Sequence, residues 1–285
     1  MVDFPPAGQF NLHQTRALLS ALGHSPRHPL GQNFLVDANI VRKSLQLANV
    51  SSGDVVVEVG PGLGTLTGAM LAAGATVYAV ERDPVLARHL SEKLVPLYPG
   101  TFFLTEGDAM DCPLAQLPPL VSQDFKIVAN LPYAISTPWI DAVLEGVLPA
   151  SMVLMLQREA AERLTAQPGG KEFGAISVAL DAAYVQVPGH KVPASCFFPP
   201  PKVESCLLHL RRRENPRKLK PDTRKVIRTL FLHRRKQIGS IIKRLDEKPA
   251  CLESWLEILP KWDATSMTRP EAVPLVAWYA LDDMI

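Results

Sequence analysis

Apolar positions along this chain fall into short continuous runs separated by amphipathic stretches. Val55-Val56-Val57-Glu58-Val59 is an almost unbroken β-branched run, the composition of a strand covered on both faces. Thr76–Val80, Thr101–Leu104, Phe125–Ala129 and Ser151–Leu156 repeat the pattern. Between them Thr65–Ala73 and Pro84–Leu94 read as helices, with Pro84 suited to a first turn. Upstream, Asp37–Leu47 fits one helical face loosely, and the apolar patch Ala17–Leu22 predicts a further short helix. Strands alternating with helices at this spacing predict an α/β fold, a doubly wound parallel sheet with helices on both faces.

The pattern then changes. After Pro199-Pro200-Pro201, Val203–Leu210 predicts a last strand with Cys206, Leu208 and Leu210 on one face. Residues 211–221 read as a charged, proline-containing linker, and Ile227, Leu230, Phe231, Ile238, Ile241, Ile242 and Leu245 recur near helical spacing beyond it. A small helical domain is expected at the end of the chain.

Composition adds one feature to this picture. The net charge of +2 hides a segregation: Lys202–Lys248 holds 16 Lys or Arg against 5 Asp or Glu, and the remainder 14 against 23. A basic block beside an acidic body points to a polyanionic partner, with a solvated helical surface as the alternative. Cys112, Cys196, Cys206 and Cys251 stand far apart with no C-x-x-C pair, so neither a metal site nor a disulfide framework is expected, and a reducing cytoplasm is the simplest compartment. The most apolar long segment, Trp139–Leu156, is broken by Asp141 and Glu145; no membrane span or secretory leader is expected.

Candidate chemistry sits at the ends of the predicted strands. Gly60, Gly62 and Gly64 lie between a strand and a helix, where a ligand can approach bare backbone. A dinucleotide fingerprint needs glycine at position 65, which is Thr, so the turn favours a nucleoside ligand without phosphates, such as S-adenosyl-L-methionine (AdoMet), over a pyrophosphate. A tight structural turn is the alternative. Glu81, after the second strand, is placed to accept ribose hydroxyls, and Asp108, after the third, to accept from an adenine amino group. After the fourth comes Asn130-Leu131-Pro132-Tyr133. An Asn oxygen and a neighbouring carbonyl there can accept hydrogen bonds from an exocyclic amine and aim its lone pair, while Pro132 stiffens the loop and Tyr133 offers a stacking face.

These motifs in this order resemble the ribosomal RNA adenine dimethyltransferases of the kasugamycin-sensitivity type, over about Leu30 to Arg244. Leu30-Gly31-Gln32-Asn33-Phe34-Leu35 is similar to the family's opening motif, in which Asn33 and Leu35 would line the cofactor pocket. Glu58–Gly64 looks like its AdoMet loop, with Glu81 at the ribose position, Asp108 and Ala109 at the adenine and Asn130 at the catalytic position. Phe197-Phe198-Pro199-Pro200-Pro201-Lys202-Val203-Glu204-Ser205 is similar to the segment whose first Phe stacks on the target base, although an isolated Phe before a proline run can equally be core. Phe231–Ile238, containing Arg234, Arg235 and Lys236, resembles the basic helix that opens the family's last domain.

The resemblance implies a Rossmann-like methyltransferase domain at 29–210, preceded by an N-terminal extension at 1–28 and followed by a helical RNA-binding domain at 211–285. It implies transfer of methyl groups from AdoMet, leaving S-adenosyl-L-homocysteine, to two adjacent adenines near the 3′ end of small-subunit ribosomal RNA. Lys202, Arg234, Arg235 and Lys236 would be RNA contacts, the partner would be that RNA or a pre-30S particle, and the protein would act as a cytoplasmic monomer. Two other readings stay open: a large-subunit RNA methyltransferase of the macrolide-resistance type, and a non-catalytic assembly or transcription factor descended from the family. The Pro-rich motif and long tail speak against the first, and the intact Gly60, Glu81, Asp108 and Asn130 set against the second.

Overall fold

The structure, a computed structural model, describes residues 10–27, 31–119, 124–246 and 248–285. Leu30, which opens the first motif, lies outside them, as do 1–9 and 28 of the expected extension.

The elements in chain order are α1 (Leu12–Ala21), β1 (Phe34–Leu35), α2 (Ala38–Ala48), β2 (Val55–Val59), α3 (Thr65–Ala72), β3 (Thr76–Glu81), α4 (Pro84–Lys93), β4 (Phe102–Glu106), β5 (Lys126–Asn130), α5 (Ser136–Glu145), β6 (Ser151–Gln157), α6 (Arg158–Leu164), α7 (Ala175–Ala183), β7 (Tyr184–Val192), β8 (Phe197–Phe198), β9 (Ser205–Arg212), α8 (Pro221–Leu232), α9 (Ile238–Ile242), α10 (Cys251–Ile258) and α11 (Leu275–Met284). A seven-stranded sheet has the order β4-β3-β2-β5-β6-β9-β7, and β1 pairs with β8 in a separate two-stranded ribbon. The five predicted core strands run parallel, whereas β9 is antiparallel to β6. This is a Rossmann-like architecture.

β7 escapes the sequence pattern because it contains Pro188-Gly189, residues that argue against a central strand. It lies at the end of the sheet, where a missing N–H is tolerated. Any Cβ at Gly189 would fall 2.1 Å from the Leu207 carbonyl oxygen of β9, so only glycine fits there.

Two compact units divide the chain: one holds the described residues up to Ala161 with Gln186–Arg212, the other Glu162–Val185 with Arg213–Ile285. The first is built on Val56, Met70, Val77, Leu90, Val128, Val153 and Met155. Its α1 is not set apart: Phe10, Leu18 and Leu19 pack with Phe34, Leu63 and Leu86. In the second unit Phe173 meets Phe231 edge-on at 5.7 Å, Phe231 lies 5.8 Å from Trp278, and Trp278 lies 5.3 Å from Trp255. The sequence reading places 162–185 in the α/β domain. Here that segment supplies Phe173 and the buried face of α7 to the tail, whose own helices span only 5–12 residues, too short to enclose a core unaided.

Candidate functional site

In an open α/β sheet, the crevice forms outside the carboxyl ends of the strands, where the strand order reverses. Here the chain starts at β2, moves outward through β3 and β4, and returns to β5 on the other side of β2. β2 and β5 pair through Val57↔Ile127, short of their ends at Val59 and Asn130. A cavity opens at this point, lined by Asn33, Leu35, Glu58, Gly60, Gly62, Glu81, Asp108, Ala109, Asn130, Leu131, Pro132 and Tyr133. Motifs spread over a hundred residues thus converge because successive parallel strands end on one edge.

The floor is the turn after β2. Gly60 and Gly62 have φ of 66° and 61°, a region that disfavours side chains, and a Cβ on Gly62 would press on the Phe34 ring at 3.3 Å. The Gly62 N–H donates to Glu81 Oε2 at 2.9 Å, and the Asp83 N–H donates to Glu81 Oε1 at 2.8 Å. Burial pushes the Glu81 carboxyl up, and those two backbone N–H groups oppose the rise. Fixed at both oxygens, Glu81 retains lone pairs for a ligand diol.

At the end of β4, Asp108 accepts from the Met110 N–H at 2.9 Å and pairs with Arg82 at 3.1 Å. At the end of β5, Asn130 Nδ2 donates to the Asn33 carbonyl at 2.9 Å. That bond fixes the amide and leaves its Oδ1 as the acceptor. The Tyr133 hydroxyl meets Ser205 Oγ at 2.9 Å, so the ring is held from β9.

Glu58 received no role from the sequence, although a lone acid in a β-branched run signals a buried polar group with a purpose. It is 1% exposed, accepts from Thr67 Oγ1 at 2.6 Å, and is pushed up to about 8, first by burial and further by the nearby Glu81. Neutral Glu58 suits the fold and ionised Glu58 does not. As pH rises past the ordinary carboxylate range the unfolded chain ionises first, so stability falls until about pH 8 and then levels. Glu58→Gln keeps an acceptor for Thr67 and should remove that slope. One pKa unit is about 1.4 kcal/mol and each kcal/mol shifts Tm by about 2–4 °C in a chain this size. Thermal unfolding should therefore show the variant more stable by on the order of 10 °C at about pH 9 and level with wild type near pH 4; parallel pH curves would count against a neutral Glu58.

Five expected residues stand elsewhere. Phe197 is 2% exposed, sits opposite Leu35 across the β1–β8 ribbon and packs with Val192, Cys196 and Leu207. It is a core side chain and does not line the cavity, as its place in a strand beside an apolar partner dictates. Arg234, Arg235 and Lys236 lie in the turn between α8 and α9 rather than on a helix. Arg234 is tied down there, 2.8 Å from Glu271 and donating to the Lys171 carbonyl at 2.5 Å, whereas Arg235 and Lys236 are exposed. Lys202 is exposed in the loop between β8 and β9. His24, Gln32 and Asp83, passed over in the sequence, border the site through hydrogen bonds that carry no spacing signal.

The chain is similar to known proteins in sequence and in fold. A family model described as ribosomal RNA adenine dimethylase matches residues 23–263. The chain is 59% identical over 267 residues to the ribosomal RNA small subunit methyltransferase A of Opitutus terrae, covering 94% of this chain and 96% of that protein. To the protein of the same name from Phenylobacterium zucineum it is 39% identical over 275 residues, covering 94% and 91%. Among solved structures, a dimethyladenosine transferase from Plasmodium falciparum superimposes with a TM-score of 0.71 over 87% of this chain and 95% of that one, at 24% identity, a likeness of fold.

Proposed function

This chain belongs to the ribosomal RNA adenine dimethylase family, and from that membership we propose that it dimethylates the 6-amino groups of two adjacent adenines near the 3′ end of small-subunit ribosomal RNA. The observation that carries the reading is the convergence of Glu81, Asp108 and Asn130, from the ends of three successive sheet strands, on one glycine-floored cavity. The donor set fits AdoMet: a buried carboxylate for a ribose diol, a carboxylate at the cavity edge for an adenine amine, and bare backbone between them. When bound, AdoMet supplies an electrophilic methyl group on a sulfonium. Asn130 Oδ1 accepts from the target amine and orients its lone pair, Pro132 keeps the loop stiff, and Tyr133, anchored on Ser205, offers its ring to an extruded base.

The substrate in this proposal is a pre-30S particle, met by a monomer in the cytoplasm. Incubation with labelled AdoMet and undermethylated small-subunit particles tests it. Label in two neighbouring dimethyladenosines is expected; label in large-subunit RNA, or none, would overturn the reading.

Exposed cations of the second unit, among them Lys225, Arg235, Lys236, Lys243 and Arg244, are read as the phosphate contacts. Replacing Arg235 and Lys236 together by Ala should weaken particle binding and flatten the dependence of log affinity on log salt by up to about 0.9 per lost contact, taking the duplex DNA value. AdoMet affinity and Tm should hold. Arg234→Ala should instead lower Tm, because Glu271 and the Lys171 carbonyl lose their partner. Binding titrations at several salt concentrations decide the matter, and identical slopes for the double variant and wild type would place the RNA elsewhere.

A further inference from the structure

The segment before the opening motif converges on one carboxylate. His24 Nε2 donates to Asp83 Oδ2 at 2.9 Å, Gln32 Nε2 donates to the same oxygen at 3.2 Å, and Arg27 Nη1 lies 3.5 Å from it. The Arg27 N–H donates to Gln32 Oε1 at 2.8 Å and closes the group on itself. Asp83 is wholly buried, and its other oxygen caps α4 through the Val85 N–H at 3.0 Å. One bond further on, the Asp83 N–H holds Glu81 Oε1, whose partner oxygen holds the Gly62 N–H. The Phe34 ring, which lies edge-on to His24 at 6.3 Å, also backs Gly62.

We propose that His24, Arg27 and Gln32 form a latch on Asp83 that sets the acidic end of β3 and the glycine turn for the cofactor. They are positioning residues, and the proposal rests on reading Glu81 as the acceptor of the cofactor's ribose hydroxyls. Electrostatics gives the latch its purpose. Two buried carboxylates stand two residues apart, and Asp83 by its charge disfavours an ionised Glu81. Donors and a guanidinium gathered on Asp83 offset that charge and keep the Glu81 oxygens available as acceptors. The titratable groups facing Glu81 are Glu58, kept neutral by burial, and the charged Asp83; beside it Arg82 is drawn off to Asp108.

Calorimetry with AdoMet and with S-adenosyl-L-homocysteine tests the latch on the full chain. His24→Ala should weaken both by about tenfold, the equivalent of one buried hydrogen bond. The KM for AdoMet should rise with it while the KM for the RNA particle stays put. His24→Gln, which returns an N–H donor near the position of Nε2, should recover most of the loss. Arg27→Ala changes a side chain that is 51% exposed, so it cannot unfold the protein, and should weaken binding about two- to threefold. If His24→Ala fails to fold, Arg27→Ala decides. Wild-type affinity in the folded latch variants alongside weak binding in Glu81→Ala would overturn the latch and leave the site standing. Wild-type affinity in Glu81→Ala itself would instead remove the site reading on which the latch depends.

Discussion

Replacing Asn130 by Ala is expected to slow methyl transfer by about 10²- to 10³-fold, the range seen when one preorganised hydrogen-bonding group is removed from a reacting centre. Timing sets the size of the effect. The adenine 6-amino lone pair is delocalised into the ring, and an acceptor that draws an amine hydrogen out of the ring plane is most needed as nitrogen begins to bond to carbon. The Asn130 amide is already fixed by its bond to the Asn33 carbonyl, so no reorganisation is required at that moment. AdoMet affinity should change far less than turnover. Single-turnover kinetics on undermethylated particles, with calorimetry beside them, separate the two; a wild-type rate in the folded variant would end the assignment.

Glu81→Ala should raise the Kd for AdoMet about 10- to 100-fold, because hydrogen bonds to a charged acceptor contribute roughly 1.5–3 kcal/mol each way. Part of the loss comes from the protein itself, since the Gly62 and Asp83 N–H groups are both left unpaired. Glu81→Gln isolates that part. It retains one acceptor and should fall between wild type and Ala. Because burial raises the Glu81 carboxyl, cofactor binding should also weaken as pH falls through that raised value. A flat pH profile with tight binding in both variants would exclude Glu81 from the ribose subsite.

The parallel strands and the site acids were legible in the sequence for one reason: each lies in a short apolar run or immediately after it, so pattern and position reinforce each other. Gly60, Glu81, Asp108 and Asn130 needed only the rule that ligands bind at carboxyl ends. Phe197 was not legible in this way, because a two-residue strand leaves no period to show which face is inward, and its pairing with Leu35 joins positions 162 residues apart. Arg234 looked like its neighbours Arg235 and Lys236 because charge alone does not reveal a partner such as Glu271, 37 residues further on. β7 was hidden by the Pro188-Gly189 pair that its edge position accommodates.

The second unit is assembled from two pieces of chain, Glu162–Val185 and Arg213–Ile285, and this has a consequence for synthesis. At typical ribosomal rates of about 5–20 residues per second, Phe173 and α7 emerge seconds before Phe231 and Trp278 exist to cover them. During that interval the first unit can take in Gln186–Arg212 and finish its sheet, while an apolar helix waits in water. A fragment starting at Arg213 would inherit the opposite defect, a tail with its aromatic cluster short of Phe173, and is expected to stay uncooperative in thermal unfolding. Anyone wishing to transplant the basic tail onto another domain would have to carry the earlier segment with it.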